Sequence, residues 1–160
     1  MLRVRFIQSL RLAVPLLLTG LAGCFGGGGR ELPDQDLELY KLQGSVKVDG
    51  EVAAGVSIGF QPADGTPGSG GFATTDAEGK FTAVSASGRE GLPPGKYHVL
   101  LSWLTTADGK PIPKDALAAD MDFKNNLPER FKTPDGSPYF TEVTAGENSD
   151  LELNVNTRAR

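Results

Sequence analysis

The chain has 160 residues, with 20 acidic against 16 basic side chains, one histidine, one cysteine and 39% hydrophobic residues. That length suffices for one domain, and the acidic balance lacks the basic stripe that nucleic acid or anionic lipid head groups require. The lone cysteine excludes an internal disulfide, and one histidine beside it falls short of the three or four such ligands that zinc takes.

Arg3, Arg5 and Arg11 lead into an apolar run from Leu12 to Leu21, and Ala22 and Gly23 then precede Cys24. Charge, apolar run and small residues in this order read as a secretory signal peptide. The run is shorter than the about 20 residues that span a bilayer, so cleavage is expected. No Arg-Arg pair is present, which favours general secretion over the twin-arginine route. The tetrapeptide Leu21, Ala22, Gly23, Cys24 closely resembles the bacterial lipobox. The resemblance implies that Leu21, Ala22 and Gly23 are recognised by the signal peptidase, that the Cys24 sulfur takes a diacylglyceryl group, and that Cys24 becomes the mature N-terminus. Removal of residues 1–23 leaves 13 basic against 20 acidic side chains, a net charge of −7. Phe25 stands where an aspartate would signal retention at the inner membrane, so the expected location is the cell envelope, lipid-anchored, at the outer membrane.

Residues 24–38 form the expected lipidated N-terminus and tether, because the stretch from Gly26 to Asp36 is rich in glycine and charge and has no apolar periodicity. Residues 39–160 form the expected globular domain. From Tyr40 onward, short alternating runs are cut by Gly, Pro and Asp, as in an all-β sandwich of about seven strands. Leu42, Val46 and Val48 share one face of the first strand, and Asp49-Gly50 predicts a tight turn. A second strand is predicted from Val52 to Phe60, with Val52, Ala54, Val56, Ile58 and Phe60 inward and the small residues Ala53, Gly55, Ser57 and Gly59 outward. Phe72 and Phe81 anchor the core on either side of a turn at Asp76–Gly79, and Pro93-Pro94-Gly95 launches a long central strand from Lys96 to about Trp103. Asp115 to Asp122 has room for one or two helical turns, and Leu127 to Pro138 reads as a crossover pinned by Phe131. Strands at Tyr139–Thr144 and Leu151–Asn156 close the chain.

The runs GSVKVDGEVAAGVSIGF, TTDAEGKF and LPPGKYHV together resemble the carboxypeptidase-regulatory-like and transthyretin-like β-sandwich, over most of the chain after Leu39. The resemblance implies a Greek-key, prealbumin-like sandwich and a lipoprotein context. It does not imply an activity, because fold alone fixes none.

GVSIG, Gly55 to Gly59, has the form of a hydrolase nucleophile elbow around Ser57, but that elbow needs a strand, a sharp turn and a helix. Here the serine is predicted mid-strand, and His98, the sole histidine, is the only candidate base. Asp64, Asp76, Glu78, Asp120 and Asp122 lie in or near loops without the spacing of a calcium hand and read as solvated charge. Lys47 and Asn154 could form an isopeptide only at a buried site, and both have outward parity. These readings predict no catalytic residues, no metal and no cofactor. The expected role is a structural or protein-interaction module, met by an unknown envelope protein or glycan and not by nucleic acid. A carbohydrate- or peptide-binding lipoprotein is the alternative, with Phe123, Tyr139 and Phe140 as the ligand-facing aromatics.

Overall fold

The computed structural model describes residues 34–63, 65–109, 112, 122–146 and 148–158. The signal sequence, Leu21 to Cys24, the tether up to residue 33, Asp64, and residues 115–121 of the expected helical turns lie outside them. No helix among the described residues is long and apolar enough to cross a membrane.

Glycine, proline and aspartate punctuate the chain so closely that the described residues are all-β. The strands are β1 (Gln43–Val48), β2 (Glu51–Val52), β3 (Ser57–Pro62), β4 (Gly71–Thr74), β5 (Lys80–Thr82) and β6 (Val84–Ser85). They continue with β7 (Gly95–Ser102), β8 (Leu104–Thr106), β9 (Phe123–Asn125), β10 (Phe140–Val143) and β11 (Leu151–Val155). One sheet has the order β11-β1-β2, with β5 also paired to β1; a second runs β10-β7-β3-β4-β6; β8 and β9 pair separately.

The first and last strands, β1 and β11, run parallel, with Val46 opposite Leu153 and Val48 opposite Val155. Gly44 makes this approach possible, because a Cβ there would strike the Leu151 carbonyl. The inner faces of the two larger sheets share one core: Val46, Val48, Leu153 and Val155 from one, Ile58, Phe60, Tyr97, Val99 and Leu101 from the other. Burial of each such side chain is worth about 1.5 to 3 kcal/mol. Phe81 joins them as expected, its ring centroid 6.1 Å from that of Phe60. Phe131, in the 3-10 helix Glu129–Lys132, is buried and pins the crossover.

Asp49 and Gly50 both have positive φ, the backbone of the tight hairpin turn expected there. The Asp49 carboxylate accepts hydrogen bonds from the Thr157 amide (2.9 Å) and hydroxyl (2.6 Å), so the β1–β2 turn clasps the chain beyond β11. These bonds hold the Asp49 carboxyl below its ordinary value of 3.8. Since the folded value is the lower one, the clasp stabilises the fold above 3.8 and is lost as the pH falls through the depressed value. A carboxyl NMR titration of Asp49 is expected to give a midpoint below 3.8, with the Thr157 amide signal moving in step; a midpoint at or above 3.8 refutes the clasp.

Four expectations need correction. The run from Val52 to Phe60 is not one strand: Val52 is exposed, Ala53 is buried, and alternation resumes only at Val56. The cause is a turn at Ala54-Gly55, with Gly55 at φ 74°, wrapped around the buried Thr75. The Thr75 hydroxyl donates to the Ala53 carbonyl (2.7 Å) and accepts from the Val56 amide (2.8 Å). Such breaks raise the strand number from about seven to eleven among the described residues. Phe72 is no core anchor; it lies 55% exposed on the outer face of β4, while its neighbour Ala73 fills the inner position. The long strand β7 is central in its sheet, as expected, and its outer residues His98, Leu100 and Ser102 are half-buried.

The fourth concerns the tether. Residues 34–37 are fastened to the domain: the Asp34 carboxylate accepts from the Ser69 amide (2.9 Å), and the Arg89 guanidinium donates to the carbonyls of Gln35 (2.8 Å) and Leu37 (3.2 Å). Asp34, Gln35 and Leu37, on the tether side of the expected boundary between residues 38 and 39, thus hydrogen-bond to the domain.

Candidate functional site

The outer face of the five-stranded sheet is the surface that its own side chains leave open. Leu100 on β7 and Phe72 on β4 flank Gly59 on β3, whose missing side chain leaves a shallow trough between them. One residue pair further along the sheet, Phe140 of β10 lies opposite His98 of β7. Their ring centroids are 4.6 Å apart, and Phe140 remains 59% exposed. The His98 Nδ1 atom is buried and has no hydrogen-bond partner among the described residues.

The β10 strand is the edge of this sheet among the described residues. Antiparallel pairing fixes where its backbone points. The Val99 amide bonds to the Tyr139 carbonyl, so residues 139, 141 and 143 are the ones turned toward β7. The amides and carbonyls of Phe140 and Glu142 accordingly point away from the sheet. Two hollows adjoin this edge. One, of about 580 Å³, lies on the outer side and is lined by Ala63, Lys96, His98, Phe140, Thr141 and Glu142. The other, of about 340 Å³, lies on the core side toward β11, and its lining includes Leu42, Thr141, Glu142, Asp150 and Leu151. Thr141 and Glu142 line both.

The aromatics expected to face a ligand do not converge. Tyr139 and Phe140 are on opposite faces of the chain by parity. The Tyr139 ring stacks on Phe131 at 6.0 Å, its hydroxyl donates to the Asn154 carbonyl (2.6 Å), and burial raises its pKa. Phe123 is half-buried on β9, in the separate β8–β9 pair. Phe140 alone of the three is exposed at a described hollow. Ala63, Lys96, His98, Thr141 and Glu142 complete that hollow, and the alternation of YFTEV carries the signal for one of them: it sends Glu142 to the face of Phe140.

Ser57 does not sit in an elbow. It opens β3 opposite Ser102, whereas His98 stands opposite Gln61, four residues along the sheet, a separation of about 13 Å. Among the described residues no helix follows before β4. The Asp76 carboxylate is occupied by the amides of Glu78 (3.0 Å) and Lys80 (2.8 Å), which makes it a turn cap. Asp64 and Asp120 lie outside the described residues, and no group of three or more His, Cys, Asp or Glu side chains able to hold a metal occurs among those described. Lys47 and Asn154 lie directly opposite each other on β1 and β11, and both are exposed to solvent.

Compared with known protein families, curated proteins and solved structures, the chain matches none.

Proposed function

We propose that this chain is a non-catalytic, lipid-anchored module of the bacterial cell envelope, acylated at Cys24 and held at the outer membrane, whose domain presents a protein-binding surface. The domain belongs, on this reading, with the Greek-key sandwiches of the carboxypeptidase-regulatory-like type, on the strength of the motif order TTDAEGKF then LPPGKYHV. The observation that carries the interaction role is Phe140, a large apolar side chain standing 59% exposed on an edge strand beside a half-buried imidazole. Exposed aromatics at such places are typical anchors of protein contacts. A non-catalytic role accords with the separation of Ser57 from His98, and a protein partner accords better than nucleic acid with the acidic balance.

The test is crosslinking in intact cells through a photoreactive residue placed at position 140, followed by identification of the captured proteins. A specific envelope protein, captured from position 140 and not from the exposed position 52 on the other sheet, is the expected result. Equal capture from both positions overturns the surface assignment.

A carbohydrate-binding reading draws on a different place, the outer face of β1, β5 and β11. A hollow of about 550 Å³ there is lined by polar groups that include Gln43, Ser45, Lys80, Asp150 and Glu152. Binding in a glycan array that is lost on Ser45→Trp would favour it over the protein-interaction role.

A further inference from the structure

We infer that residues 34–37 form a releasable latch, held by Arg89 and the loop around Ser69, that sets how far the domain can stand from its membrane. The inference rests on the acylation of Cys24 proposed above and concerns the chain that follows it.

The latch has two halves. In the first, the Asp34 carboxylate accepts from the Ser69 amide through both oxygens, at 2.9 and 3.1 Å. Gly68 makes room for this contact: a Cβ there would lie 2.8 Å from Asp34 Oδ1 and 3.1 Å from Leu37 Cδ1. In the second, one guanidinium nitrogen of Arg89 donates to the carbonyls of Asp34 (3.4 Å), Gln35 (2.8 Å) and Leu37 (3.2 Å), three acceptors that only a tight turn brings together. The Leu37 amide closes that turn on the Asp34 carbonyl at 3.3 Å. Asp34 itself has φ 67°, a left-handed conformation that a residue with a side chain keeps where its surroundings impose it.

The firm root of the domain lies further along, at Tyr40. Its amide donates to the Leu92 carbonyl (2.9 Å) and its carbonyl accepts from the Leu92 amide (3.0 Å), and Leu92 is fully buried. The bonds that hold residues 34–37 are exposed to solvent instead, and contacts of that kind open locally while the core stays folded. Opening therefore moves the first fixed residue from Asp34 to Tyr40. From Cys24 to Asp34 the chain makes ten residue steps, which span at most about 35 Å; from Cys24 to Tyr40 it makes sixteen, at most about 55 Å. Release thus adds about 20 Å of reach and leaves the sandwich unchanged. A partner that lies beyond the shorter span is met by the released form alone.

The test places the mature chain on vesicles whose polymer-bearing lipids form brushes of graded height, with biotin at the C-terminus and streptavidin as the probe that the brush excludes. One sample is held by the chain's own lipid, and another by a maleimide lipid coupled to Cys24, the only thiol. Asp34→Ala and Arg89→Ala are expected to speed exchange of the Ser69 amide at least about tenfold while the Val99 amide keeps its protection. Both are expected to raise the brush height that halves capture, by as much as about 20 Å. Asp34→Asn keeps an acceptor oxygen and tolerates positive φ, so it is expected to behave as the parent chain. Six Gly and Ser residues inserted after Gly29 lengthen the chain with the latch closed and calibrate the shift. An inserted chain that shifts while the alanine variants, with their Ser69 amides released, do not overturns the inference. Free exchange of the Ser69 amide in the parent chain, a readout that needs no variant, overturns it too. Absence of the naturally processed chain from the vesicles, with the coupled chain shifting as expected, refutes the acylation while the latch stands.

Discussion

Replacing Cys24 with serine is expected to abolish palmitate labelling altogether and to return the intact mass to that of the unmodified chain. Acylation through a thioether needs a nucleophilic thiol, and a serine hydroxyl at ordinary pH is a poor substitute. Cys24 is also the only thiol in the sequence, so no second site can take the lipid. One acyl chain binds membranes reversibly, whereas two, at about 0.8 kcal/mol per buried CH₂, hold stably. Loss of the diacylglyceryl group thus removes the whole proposed anchor in one step. Labelling is the decisive readout, because a leader left uncleaved would also hold the variant on the membrane. Palmitate incorporation that survives in the serine variant overturns the anchoring proposal.

The features legible in the sequence were those set by local chemistry. Asp49-Gly50 and Asp76 to Gly79 are turns because their residue types adopt positive φ or cap their own backbone, and both turns are where the sequence places them. The strands β7, β10 and β11 lie within a residue or two of their expected bounds, since each follows a clear breaker and alternates cleanly. Alternation fails where a tertiary contact interrupts it. Val52, Ala54 and Val56 have the right period for one strand, yet Thr75, nineteen residues beyond Val56, grips the chain between them and shifts the phase. Phe72 misleads for a related reason. Hydrophobicity alone nominates it for the core, but the pairing of Ile58 with Ala73 assigns the inner position to its small neighbour.

The candidate site was less legible than the fold, because an open edge is a property of which strands are neighbours. The sequence marks Phe140 as aromatic; it does not say that β10 has no second neighbour or that β11, on the other sheet, brings Asp150 to the same hollow. The docked segment 34–37 is another long-range effect. Nothing local to Asp34 announces that Ser69 and Arg89 will hold it, and glycine-rich sequence immediately before it points the other way.

Thr75→Val is expected to destabilise the domain by about 2 to 5 kcal/mol, a large part of the about 5 to 15 kcal/mol that typically holds a domain together. The side chain is 5% exposed, and valine nearly matches its shape, so lost packing contributes little. What is lost is the hydroxyl that satisfies the Ala53 carbonyl and the Val56 amide, both on residues no more than 1% exposed. Each group left unpaired in such surroundings costs about 1 to 3 kcal/mol. The backbone bonds from the Thr75 amide to Val56 and from the Gly55 amide to Thr75 remain, which keeps the turn in place and prevents solvent from reaching the orphaned groups cheaply. Thr75→Ser separates the two contributions, because it keeps the hydroxyl and gives up only a methyl group, at about 1 kcal/mol. Urea denaturation of both variants is the measurement, with the midpoint expected to fall much further for valine than for serine at unchanged slope. A valine variant as stable as the serine variant would show that packing, and not the hydroxyl, holds the break between β2 and β3.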